Sequence, residues 1–156
     1  MMMGVLLTLH VLGAILFVGN IVTAAFWKTM ADVGGNPAAI HQASKFVMKA
    51  DWAFTLPGLA LLVVTGGLMA EQGGYSMGGW NWLTLSLALF ALTGILWAAL
   101  LIPLQRKMIR LSADAVHSGV IPAAYRQASR NWAIFGSVAT LLPVAILFLM
   151  VIKPVI

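Results

Sequence analysis

MMMGVLLTLHVLGAILFVGNIVTAAFW, residues 1–27, carries no formally charged side chain and runs up to Lys28. A helix rises about 1.5 Å per residue, so roughly 20 apolar residues cross the hydrocarbon layer of a bilayer. This stretch therefore predicts a first membrane span. It lacks a basic lead-in and is too long for the apolar part of a cleaved leader, so it reads as a retained helix. Three further runs match it: Trp52 to Ala70, Trp82 to about Leu104, and Trp132 to Ile152. Their apolar character is continuous, not alternating, which argues against the strands of a membrane barrel.

Composition agrees. Of 156 residues, 62% are hydrophobic and 8% charged, against about a quarter charged in soluble domains. Residues 1–156 form a single membrane domain with no room for a separate soluble one. The net charge of +5 does not point to nucleic acid, because of where the charge lies. Lys28, Lys45 and Lys49 follow the first span, and Arg106, Lys107, Arg110, Arg126 and Arg130 follow the third. The connection from Glu71 to Asn81 has no basic residue; Lys153, near the C-terminus, is the exception to the pattern. The positive-inside rule then puts both basic connections in the cytoplasm, with the chain in the inner membrane and both termini outside. Trp27, Trp52 and Trp132 are expected at the inner interface, Trp80 and Trp82 at the outer one. Cysteine is absent, so disulfides, thiolate metal sites and thiol catalysis are excluded.

The basic connections have structure of their own. Asn36 before Pro37 is a helix start with a capping side chain and a proline at the first position. Ile40, Ala43, Val47, Ala50 and Phe54 then make an apolar stripe, with His41, Lys45 and Lys49 on another face, which predicts an interfacial amphipathic helix. PAAIHQASK (37–45) matches PAAYRQASR (122–130) at six of nine positions, with one further Lys-to-Arg exchange. DWAF (51–54) also matches NWAI (131–134), and VLGAILF (11–17) matches ALTGILW (91–97), each 80 positions apart. The expected fold is an all-α integral membrane bundle of four transmembrane helices with two cytoplasmic amphipathic helices. It is built as a parallel internal duplication of residues about 1–70 and about 82–156. Such a plan is compatible with a homo-oligomer or a membrane partner subunit in the lipid bilayer.

His10 is the histidine inside a span. His10, Gly13, Phe17, Asn20 and Ala24 fall on one narrow face that should look into the bundle, since small residues allow close helix approach and polar groups avoid lipid. His10 is either a cross-helix hydrogen-bonding group or the centre of an outer-leaflet site. LHVLGAILFVGNIVTAAFWK (9–28), DWAFTLPG (51–58) and the basic end of the third span resemble the DUF2269 family of predicted integral membrane proteins, over most of the chain. The resemblance implies topology, not an activity. The pattern at Leu9 to Gly19 is also similar to the first helix of CopD-type copper-resistance proteins and HemJ-type protoporphyrinogen oxidases. In those families a functional histidine matches His10.

A haem b reading uses His10 as one axial ligand. The repeat places Phe90 where a second histidine would stand, and His41 and His117 are cytoplasmic, which leaves Met69 or Met150 as the second ligand. A copper reading draws on His10 with the outer-side methionines Met1, Met2, Met3, Met69, Met77 and Met150, since thioether and imidazole suit Cu(I). Asp51 at the inner mouth of span two reads as a surface ion pair with Lys49, Arg126 or Arg130. Asn20 and Thr65 are path-lining or packing groups. A proton relay would need more carboxylates within the spans. Arg106, Arg126 and Arg130, with Lys107 and Arg110, are candidates for anionic lipid headgroups. Ser76, Glu71 and His10 do not make a hydrolytic triad. The expectation is a non-catalytic accessory or binding membrane protein with an outer-leaflet site at His10. The alternatives are a haem-dependent oxidoreductase and a small transporter or copper-uptake component. A reporter fused at Gly74 is expected to read as periplasmic and one at Gly119 as cytoplasmic; the opposite pattern would reverse the assigned orientation.

Overall fold

The computed structural model describes residues 1–75 and 78–155, all of whose regular elements are helical. Helix α1 spans Met2–Gly34 and ends on Gly35, whose φ of 68° lies in the left-handed region that favours glycine. Asn36 then accepts from the backbone N–H groups of Ala38 and Ala39 at 2.9 and 3.3 Å, with Pro37 in the first turn of α2. Three residues, each suited to its place, thus reverse the chain. Helix α2 (Pro37–Ala50) continues through a π-helical turn, Asp51–Thr55, into α3 (Leu56–Gln72). After the outer connection, a capping box of Asn81 and Thr84 starts α4 (Trp82–Leu96). A second π turn, Trp97–Leu101, leads into α5 (Ile102–Ser118), and Gly119 precedes α6 (Ala123–Ile152).

These segments make four continuous rods of 33, 36, 37 and 30 residues, each long and apolar enough to cross a membrane. The expected fold class holds. The rods pair as two hairpins, α1 against α2–α3 and α4–α5 against α6, joined where α2 packs on α5 and α1 on α6. The amphipathic segments are continuations of the spans at the end away from the termini: Ile40 and Val47 of α2 join Met108 of α5 and Tyr125, Ala128 and Trp132 of α6 in one buried cluster. Trp132, expected at the interface, is therefore a core residue at 7% exposure. Met77 and Ser76 lie outside the described residues.

Nearer the end of the bundle that holds the termini, α1 and α3 meet backbone to backbone. A Cβ on Gly58 would lie 2.9 Å from both the Gly13 carbonyl oxygen and the Phe17 nitrogen, so neither helix tolerates a side chain at this crossing. Gly13 and Phe17 are buried and His10, Asn20 and Ala24 half-buried, as the inward stripe requires.

Each π turn comes just before a proline, Pro57 and Pro103. Proline has no N–H for the i−4 carbonyl and its ring crowds that carbonyl, and the wider turn takes up the misfit. The extra residue also shifts the helix face. Phe54, expected on the apolar stripe of α2, is 48% exposed, while Asp51 and Thr55 turn inward.

Candidate functional site

Asp51 opens the first π turn and is 6% exposed. Its Oδ1 accepts from Asn20 Nδ2 at 3.1 Å and from Thr55 Oγ1 at 3.0 Å. Its Oδ2 accepts from Gln105 Nε2 at 2.7 Å and from Trp97 Nε1 at 3.2 Å. The Asn20 amide also donates to Thr55 Oγ1 at 2.9 Å. These donors come from α1, both π turns and α5, so one carboxylate ties three of the four rods together. Two donors per oxygen fill the lone pairs of the carboxylate, and hydrogen bonds to an ionised group are stronger than neutral ones.

The expected surface ion pair is therefore corrected. Lys49, Arg126 and Arg130 are exposed, and among the described residues the ion pair is Lys28 with Asp32. Spacing does put Asp51 on the buried face of α2, four residues after Val47 and seven after Ser44; its place beside basic residues at a span end is what suggested the surface. Asn20 and Asp51, separate candidates in the sequence, belong to one cluster. Trp97, Thr55 and Gln105 were not singled out from the sequence at all. The available signal was the pair of prolines, each at the same distance after a π turn.

Beside this cluster lies a half-open cavity of about 450 Å³. Asp51, Trp97, Gln105 and Trp132 border it, and the α1 and α6 walls are built of small residues including Ala24, Ala25, Ala133 and Gly136. A Cβ on Gly136 or Gly94 would meet nothing within 4 Å. Two atoms of the bordering residues, Gln105 Oε1 and Trp132 Nε1, are buried and have no hydrogen-bond partner. Such atoms are uncommon in folded proteins, since each costs about 1–3 kcal/mol.

A second polar cluster fastens α1 to α6. Lys28 is 2% exposed, donates to Asp32 and Ser129, and lies 5.5 Å from the ring centre of Tyr125 and 5.3 Å from that of Trp132. Asp32 also accepts from the Tyr125 hydroxyl at 2.7 Å and from Ser129 at 2.6 Å. Lys28, read from sequence as a topology signal alone, is a structural cation. Its legible trace was the i, i+4 spacing of Lys28 and Asp32 facing Tyr125 and Ser129 at the same spacing.

His10 Nδ1 lies 2.9 Å from Thr65 Oγ1, whose own proton goes to the Leu61 carbonyl at 2.5 Å. That makes Nδ1 the donor, and the bond joins α1 to α3. Nothing in the arrangement of the described residues marks a haem or metal centre at His10. Phe90, opposite His10 in the repeat, packs on Phe17 with ring centres 6.4 Å apart. Met69 and Met150 are half-buried on α3 and α6, and no three His, Cys, Asp or Glu side chains converge among the described residues. Arg106, Lys107, Arg110, Arg126 and Arg130 are exposed and belong to neither polar cluster.

A four-rod membrane bundle with polar groups confined to its interior agrees with what comparison of the chain returns. The model of the predicted integral membrane proteins designated DUF2269 matches residues 4–154. The chain belongs to that family. Neither a curated protein nor a solved structure matches it. Family membership fixes the membrane setting, and the likeness of Leu9 to Gly19 to copper-resistance and oxidase proteins rests on that short motif alone. Asp51→Leu leaves four donors without an acceptor and is expected to lower stability by about 3 kcal/mol or more, whereas Trp97→Phe, which removes one donor, costs about 1 kcal/mol. Unfolding of the purified protein in mixed detergent micelles checks this. A loss for Asp51→Leu no greater than for Trp97→Phe would remove the carboxylate as the tie between the hairpins.

Proposed function

We propose that this protein is a non-catalytic binding or accessory protein of the inner membrane, and that its working element is the cavity beside Asp51. The observation that carries the reading is a space of about 450 Å³ kept open beside the carboxylate on which the packing of three rods converges. Ligand sites are concave, mostly apolar, about 300–1,000 Å³ in volume, and hold a few placed polar groups. An ionisable residue inside a membrane bundle is by default a site candidate. The basic residues gather at the end of the bundle where α1 turns into α2 and α5 into α6, which supports placing that end in the cytoplasm and both termini outside.

The two hairpins are read as copies of one unit. Support comes from matched burial 80 positions apart, at Leu6 and Ser86, Gly13 and Thr93, and Lys28 and Met108. The cavity lies where the copies differ. Ala24 and Ala25 of the first copy answer Leu104 and Gln105 of the second, and Asp51 answers Asn131. The smaller side chains on α1 leave room that the second copy fills.

A bound compound is expected in protein purified in mild detergent, seen by mass spectrometry of the organic extract. Gly136→Leu, which puts a side chain into the cavity, is expected to lower its amount about tenfold, the equivalent of roughly 1.4 kcal/mol of affinity. Equal amounts from both proteins, each with unchanged helicity, would remove the cavity as the site. The haem, copper and oxidoreductase alternatives centred on His10 have no comparable support. The preparation is expected to be colourless, and a Soret band lost in His10→Ala would reverse that judgement.

A further inference from the structure

We infer that the cavity holds one acyl chain of an anionic phospholipid from the leaflet at the basic end of the bundle, with its phosphate headgroup on Arg126 and Arg130. The inference rests on the cavity reading above and names the class of its occupant. The cavity is a long groove. Its lining runs along α1 from Phe17 to Thr29 and along α6 from Trp132 to Leu141, which is about 18 and 14 Å at the helical rise. The hydrocarbon layer is about 30 Å thick, so one leaflet, and one chain, has a depth close to these lengths. Val22, Thr29, Ala133, Ser137 and Leu141 belong to the lining and are exposed, so the groove is open along its side and a second chain can stay in the bilayer. The hydroxyls of Thr93, Ser137 and Thr140 in its wall donate to carbonyls of their own helices, each at 2.8 Å, and the Asp51 carboxylate has its four donors. These groups make no demand on the occupant, which suits an alkyl chain.

The register of the arginines is an independent observation. Arg126 and Arg130 stand on the same face of α6 as Ala133, Ser137 and Thr140, at successive spacings of four, three, four and three residues. The face that lines the groove thus continues, at its basic end, into two guanidinium groups. Both are exposed, and neither has an ion pair or hydrogen bond with a described residue. Guanidinium forks match phosphate oxygens, and two uncompensated positive charges favour a lipid of net negative charge. The acidic groups nearby do not oppose this. Ser129 bonds Lys28 while the Asp51 carboxylate bonds Asn20, which sets the arginine level about 12 Å from Asp51 along α1. Asp32, which borders a small hollow with Arg126, is answered by Lys28, Tyr125 and Ser129. An acidic group drawn deeper would meet the charge of Asp51 where water is excluded, so the headgroup stays at the arginines and the chain occupies the groove.

The test uses the full chain in phosphatidylcholine vesicles that carry a small share of one of two probes, phosphatidylglycerol or phosphatidylcholine, with the same photoactivatable acyl chain. Labelled positions are mapped by mass spectrometry and normalised to Val63 and Val64, exposed residues of α3. Phosphatidylglycerol is expected to label the groove residues of α1 and α6 about tenfold more than phosphatidylcholine, and Arg126→Gln combined with Arg130→Gln to bring it down to the phosphatidylcholine level. Lys107→Gln, which removes the same charge from an exposed site on α5, should leave the preference intact. Equal labelling by the two lipids, a preference that survives the double change, or an equal loss with Lys107→Gln overturns the inference, the last by showing diffuse surface charge. Glycerol phosphate, the headgroup chemistry without chains, is expected not to compete; displacement by it would assign the arginines to a free phosphate ester and sink the lipid. If Gly136→Leu abolishes groove labelling while the two lipids label the unaltered protein equally, the cavity reading stands and the anionic lipid falls. If Gly136→Leu changes nothing, both fall.

Discussion

A carboxylate placed among apolar helices must have its lone pairs answered from within the protein, because the surrounding lipid offers nothing. Asp51 meets that requirement with donors from Asn20, Thr55, Trp97 and Gln105, and much of the bundle's geometry follows from collecting them. The first π turn faces Asp51 and Thr55 inward, and the second brings Trp97 to within 3.2 Å of Oδ2. Asp51 is thus one of two polar ties between the hairpins, beside the Lys28 and Asp32 cluster and the apolar cluster that α2 shares with α5 and α6.

Along the membrane normal, different forces hold different depths. Near the outer side, α1 and α3 touch through Gly13 and Gly58, where dispersion contacts between backbones do the work and His10 to Thr65 adds one hydrogen bond. Further in, the Asp51 cluster joins the hairpins. At the inner end, Lys28 and Asp32 of α1 meet Tyr125 and Ser129 of α6. A buried ion pair repays its desolvation only when further hydrogen bonds complete it. Here two hydroxyls and two aromatic faces complete it.

The spans and the reversals were legible because hydrophobic length, glycine, asparagine and proline act locally. Residues 1–27 announce a span, and Gly35, Asn36 and Pro37 announce a turn, with no knowledge of the rest of the chain. The inward stripe through His10, Gly13 and Phe17 was also visible from periodicity. Asp51 lies on the buried face of α2 by spacing, four residues after Val47 and seven after Ser44, but its place beside basic residues at a span end read as surface, and the shifts made by the two π turns are invisible to periodicity. Lys28 and Trp132 were misplaced for a related reason. Charge and tryptophan near a span end usually mark the interface, and only the packing of α6 against α1 and α5 makes these two interior residues. Pro57 and Pro103 were the local signs of both shifts, although proline alone does not say which way the following face turns.

The arrangement of these ties also bears on which compartment the cavity serves. Lys28, Asp32, Tyr125 and Ser129 fasten α1 to α6 at the inner end, and Lys28 lies against the ring of Trp132, a cavity-lining residue. Above that fastening, the same two helices face each other through alanine and glycine, with no polar tie among the described residues. A seam fixed at one end and weakly held beyond it parts first where it is weakly held. Separating the inner end would strip partners from a buried lysine and a buried tyrosine hydroxyl, each a loss of about 1–3 kcal/mol or more. Beyond it no hydrogen bond joins α1 to α6 among the described residues, so parting there loses only dispersion contacts. In the binding role proposed above, this seam is the side at which the bilayer meets the cavity.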